Sequence, residues 1–116
     1  VNAPARITVP DDGYDETADL YQWSEAERAH RASISIHCPN EGADAMRLRV
    51  FLAVLRDKAG AGMRCCCDEA FPVLREVQRQ ATEAVYAPHG PGKLYLKWLA
   101  ITSLMSAARL IERANK

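Results

Sequence analysis

The sequence predicts a mainly α-helical fold: an antiparallel bundle of three long helices, with an irregular acidic N-terminal arm and a small two-stranded β element. Three observations carry this expectation. Apolar residues recur at spacings of three and four through three stretches of 43–116, the period of a helix with one buried stripe. Short segments rich in Gly and Pro separate those stretches, notably "YAPHGPGK", and short connections favour antiparallel neighbours. Alternation with a period of two is confined to two brief pieces before residue 39. A chain of 116 residues buries about two thirds of its unfolded surface as one domain. Residues 1–116 are therefore read as a single helical domain, with the arm at 1–23 and the helical core at 43–116.

The elements follow in order. Pro4, Pro10 and the Asp12-Gly13 turn signal make residues 1–16 a loop, with Arg6 to Val9 as one extended piece. Two phasings fit the next stretch. Ser24 followed by Glu27 has the spacing of a capping box, which starts a helix at Ser24. A longer helix from near Thr17 instead aligns Leu20, Trp23, Glu27, His30 and Ile34. Either helix is expected to stop near Ala32. From there Ile34, Ile36 and Cys38 alternate with Ser33, Ser35 and His37, the pattern of a half-buried strand able to pair with Ile7–Val9.

In the second half, "ADAMRLRVFLAVLRDKAGAG" places Leu48, Phe51, Leu52, Leu55 and Ala59 on one face, and Gly60 suits a left-handed helix stop. Asp68 is expected to cap the next helix, with Pro72 in its first turn and Phe71, Leu74, Val77, Ala81 and Ala84 buried. The last helix offers Leu94, Trp98, Ile101, Met105 and Ala108, a stripe widened by Leu99, Leu104, Leu110 and Ile111. A helix so broadly apolar belongs at the centre of a core or against a second subunit.

Charge narrows the function classes. Acidic and basic groups balance at 15 each, yet 1–45 carries nine acids and three bases and 46–116 six acids and twelve bases. Such asymmetry implies that the halves attract each other or that each recruits a partner. Asp11, Asp12, Asp15 and Glu16 occupy the place where a signal peptide needs an apolar core. The apolar run Trp98 to Ala108 is short for a bilayer span and follows Lys97. Thiols without a secretory signal point to the cytoplasm. Eleven Arg against four Lys, with abundant Ala, is the composition of a high-GC bacterium or its phage.

The run Cys65-Cys66-Cys67 raises the question of metal or thiol chemistry. Zinc sites usually chelate through pairs such as C-x-x-C, whereas contiguous residues on a helix diverge by about 100°. Cys38, His37 and His89 are the outside ligands available, with no marking spacing. Adjacent Cα atoms at about 3.8 Å lie below the usual disulfide separation. Asp68 and Glu69 oppose a reactive thiolate, so the run reads as small apolar filler. Glu27-x-x-His30 is one half of a di-iron pattern whose second half is missing. Gly90-Pro91-Gly92-Lys93 lacks the Walker ending and reads as a helix connection. No nucleophile set can be assembled, and no cofactor motif is present.

The expected function is therefore that of a small non-enzymatic accessory protein acting by protein–protein binding, with a homodimer through the last helix as one form. The acidic, aromatic stretch "DDGYDETADLYQW" supplies Tyr14, Asp15, Glu16, Asp19, Tyr21 and Trp23 as partner contacts, with Trp98 on the last helix. A nucleic-acid regulator using the basic helices 46–59 and 93–116 is the alternative. Against it, Asp68–Ala87 carries four acids and two bases, the wrong sign for a groove-reading helix. A metal or thiol module at Cys65–Cys67 is the third reading.

Overall fold

Ser24 starts the first helix. The computed structural model describes residues 24–116, and in it the Ser24 side chain accepts a hydrogen bond from the Glu27 backbone N–H at 3.2 Å. The Ser24 hydroxyl donates in turn to the Glu27 carboxylate at 2.7 Å, and Ser24 caps the helix as the sequence predicts. Four helices follow: α1 Glu25–His37, α2 Ala43–Met63, α3 Phe71–Tyr86 and α4 Pro91–Ala114.

The expected count of three long helices and the β element are both corrected. α1 continues through Ser33–His37, and no strand occurs among the described residues. Ile34 and Ile36 decide the matter. On a strand they would share a face; here Ile34 is 1% exposed and Ile36 78% exposed, as an angular step of about 200° on a helix requires. The Cys38 N–H closes the last turn on the Ile34 carbonyl at 2.7 Å. The intended pairing strand, Arg6 to Val9, lies outside the described residues.

α2 rather than α4 is the central helix. Leu48, Arg49, Val50, Phe51, Leu52 and Ala53 are all buried in succession, which places protein on every side of that segment. α1, α3 and α4 each pack against α2. The His30 Nε2–Asp57 Oδ2 contact at 2.9 Å fastens α1 to α2, and His37 lies 5.0 Å from the Tyr86 ring at the other end of α1.

Gly60 is not the helix stop. The helix runs through Gly60 and Gly62 to Met63, and the glycines serve close approach instead. A Cβ at Gly60 would stand 2.8 Å from Gln78 Nε2, and one at Gly62 3.2 Å from Leu74 Cδ1. Asp68 does not cap α3 either. Ala70 holds that position, and the Cys67 carbonyl accepts the N–H groups of both Ala70 and Phe71 at 3.2 Å. Pro72 falls in the first turn, where its missing donor costs little. Leu74, Val77, Ala81 and Ala84 are buried as expected, whereas Phe71 faces outward under Arg75.

In α4, Leu94, Trp98, Ile101, Met105 and Ala108 are all buried. By length and composition alone this helix would also span a bilayer, but its most apolar stripe is covered by α2 and α3.

Candidate functional site

Three places in the described chain gather chemically capable groups. The first is where α2 begins and α3 ends. Arg49 is 1% exposed and reaches across to the loop leaving α3. Its guanidinium donates to the carbonyls of Ala84 at 3.1 Å, Ala87 at 2.8 Å and His89 at 3.2 Å, and to that of Val85. It also pairs with the Glu41 carboxylate at 2.9 Å. The last carbonyls of a helix lack intrahelical donors, and Arg49 supplies them. Arg49, one of the basic residues of 46–59 that the nucleic-acid alternative would turn to phosphates, is thus an internal clamp. On the same helix Arg56 pairs with Asp57 at 3.0 Å.

The second place is the opposite end of the bundle, where Cys65–Cys67 form the turn between α2 and α3. Cys65 is exposed, while Cys66 and Cys67 are half-buried and pack against the core. The Cys67 N–H donates to the Glu112 carboxylate of α4, tying the turn to the last helix. Those hydrogen bonds, led by the backbone one, hold the Glu112 carboxyl below its usual range. Burial, followed by the adjacent Glu112 charge, pushes the Cys66 thiol up. Burial and the hydrogen bond to Glu112 do the same for Cys67. Both stay thiols rather than thiolates near neutrality, which makes them poor nucleophiles. Among the described residues no group of three or more His, Cys, Asp or Glu side chains is placed to hold a metal ion.

Beside this turn, the C-terminal halves of α2 and α4 border a cleft of about 470 Å³. Gly62, Leu74, Met105 and Ala108 line its floor, and Lys58, Arg109, Arg113 and Lys116 stand around it.

The third place is the outward side of α4. At 100° per residue, the residues turned from the core are Gly92, Leu96, Leu99, Ala100, Ser103, Ser106, Ala107 and Leu110, all exposed. None carries a charge. Lys93 and Lys97 border the stripe on one side, Arg109 and Arg113 on the other. The Ser103 hydroxyl turns back to the Leu99 carbonyl at 3.1 Å, so even this polar residue shows little hydrogen-bonding demand outward.

The residues singled out in the sequence divide sharply. Tyr14, Asp15, Glu16, Asp19, Tyr21 and Trp23 lie outside the described residues. Trp98 is 0% exposed, stacked on Tyr95 at 5.9 Å and tilted against Phe51 at 6.2 Å. It is a core residue, and a side chain without surface offers a partner nothing; the large apolar side chains that α4 does expose are Leu96, Leu99 and Leu110. Sequence reasoning noted Leu99 and Leu110 as widening a stripe that belongs in the core or against a second subunit; both are exposed on this chain. No family model matches the chain, no curated protein matches it, and no solved structure matches it.

Proposed function

We propose that this chain is a non-enzymatic accessory protein that works in the cytoplasm by binding another protein, and that α4 is the element it presents. The observation that carries this reading is the uncharged outward stripe of α4 from Gly92 to Leu110, exposed along its length. An uncharged stripe of this extent on a small protein marks a contact surface. Its middle consists of Ala100, Ser103, Ser106 and Ala107, residues small enough for a second helix backbone to approach closely. A lipid surface gains little from Ala and Ser, so a helix fits this stripe better than a bilayer does.

The flanks specify that helix. Lys93, Lys97, Arg109 and Arg113 border the stripe, and the one acid of α4, Glu112, is engaged with Cys67. The occupant is an amphipathic helix with acidic flanks. A second copy is disfavoured as that occupant, because α4 against α4 sets like charges side by side.

The test uses a synthetic helix with a leucine–alanine stripe between glutamate flanks, with fluorescence anisotropy on the full chain. Binding should weaken at least ~tenfold in Ser103→Arg, and the same peptide with lysine flanks should not bind. Failure of the glutamate peptide to bind, or equal binding of both peptides, refutes the reading. If sedimentation instead gives a dimer that Ser103→Arg splits, the face belongs to a second copy.

A further inference from the structure

We propose that the cleft between the C-terminal halves of α2 and α4 binds a small amphipathic anion, an apolar chain or ring ended by one carboxylate or phosphate head. The site lies on the side of α4 that faces α2; it shares Arg109 and Arg113 with one border of the outward stripe but none of the stripe's own residues.

Its floor and its rim call for opposite chemistries in one molecule. Gly62 of α2, Leu74 of α3, and Met105 and Ala108 of α4 make an apolar floor. Three helices thus contribute to it; Met105 and Ala108 close it off from the core, and Ala61 and Cys65, both exposed, with half-buried Cys66 add apolar surface at its edge. Gly62 lets α2 pack closely on Leu74 beneath the cleft. A side chain there would begin 3.2 Å from Leu74 Cδ1 and 3.6 Å from Leu74 Cδ2. The volume, about 470 Å³, lies within the ~300–1,000 Å³ range of small-molecule sites.

Arg109, Arg113 and Lys116 rise from α4 and the residues after it, with Lys58 across the cleft on α2. Glu112 is the acid that lines the same space, and its carboxylate already accepts the Cys67 N–H. The ion pairs formed among the described residues involve neither Arg109 nor Arg113. Cations gathered within a screening length of ~8 Å repel one another, and an anion placed among them relieves that repulsion. Two guanidiniums one helical turn apart can grip a carboxylate or phosphate through paired N–H donors. A bare inorganic anion would use only the cationic rim, and a neutral hydrocarbon only the apolar lining. A molecule with both parts satisfies the cleft.

The experiment is calorimetric titration of the full chain with decanoate and with decyl phosphate, beside decanol and inorganic phosphate. One or both amphipathic anions should bind at one site below about 1 mM, with decanol and inorganic phosphate at least ~tenfold weaker. The double variant Arg109→Glu, Arg113→Glu, both at exposed positions, should weaken the anion at least ~tenfold. Lys93→Glu with Lys97→Glu, on the same helix away from the cleft, should leave its affinity unchanged. Ala61→Trp, which fills the mouth from an exposed position, should block binding while circular dichroism stays that of the parent chain. The proposal is overturned if decanol matches decanoate, if inorganic phosphate matches decyl phosphate, if no anion binds below that limit, or if the Arg109/Arg113 variant binds as the parent does. Because Ser103 lies outside the cleft, Ser103→Arg separates failure here from failure of the protein-binding reading.

Discussion

Replacing Arg49 tests whether the α3–α4 junction is held by one side chain. In Arg49→Met the stem volume is kept and five hydrogen bonds are lost, four to backbone carbonyls and one to Glu41. The acceptors fare differently. Ala84 and Val85 are 3% and 0% exposed, so their carbonyls gain no water in exchange; Ala87 and His89 are half-exposed and can be rehydrated. Two stranded carbonyls cost about 1–3 kcal/mol each. Glu41, whose side chain is 20% exposed, loses its counter-charge as well. The total falls at about 3–5 kcal/mol, the usual cost of removing one partner from a buried pair. In urea, with a slope of about 1–3 kcal/mol per molar, the midpoint drops by roughly 1–5 M. Arg49→Lys should land between the two, because one ammonium has three donors for five acceptors. An Arg49→Met protein within about 1 kcal/mol of the parent would show that these carbonyls find other partners, and the clamp argument would fall.

Three smaller outcomes follow from the same geometry. Gly60→Ala should leave stability unchanged or raise it by up to about 1 kcal/mol, because the Cβ would meet only the movable end of Gln78; a loss above that size in a urea titration would mean the α2–α3 contact cannot yield. Ser24→Ala removes the α1 cap and should cost about 1 kcal/mol, visible as faster amide exchange at Glu27 before any other helix responds. Glu76, held down to about 2 chiefly by hydrogen bonds from Arg79 and Gln80, stabilises the fold when ionised. Its folded value lies below its unfolded one, so that contribution is complete above about pH 4.5 and fades as pH falls toward 2; Glu76→Gln should flatten this part of a pH–stability curve.

What the sequence made legible is whatever depended on period and on local hydrogen bonding. The 4-3-4-3 stripe of α4 is buried at all five positions, and Ser24 caps where the Ser-x-x-Glu spacing placed it. The failures came where one residue type serves two needs. Glycine reports a missing Cβ without saying whether the vacancy admits a left-handed turn or a neighbouring helix; at Gly60 it admits Gln78. Ile34, Ile36 and Cys38 alternate as a strand does, but three positions are too few to override a helix already nucleated at Ser24. Arg49 was read by its charge. Its buried role was written in its neighbours, since Leu48 to Ala53 is apolar at every other position, and a charge inside such a segment must find acceptors in the interior.

The same enclosure bears on the proposal that α4 is the surface that takes a partner. A helix segment covered on all sides, as α2 is from Leu48 to Ala53, needs three others around it, and each of those keeps an outward face. α3 fills its outward face with charge: Arg79 bridges Glu76 and Glu83 along the helix, which is how a surface helix meets water. α4 had the same option and does not take it, placing its cations on the borders and Leu96, Leu99, Ala100, Ala107 and Leu110 between them. Solubility alone would favour the arrangement of α3. If the stripe were merely a bare surface that meets no partner, Leu99→Glu with Leu110→Glu would leave every binding property untouched. The contact reading requires the opposite: the double variant folds as before, since both positions are exposed, and the acidic-flanked helix no longer binds.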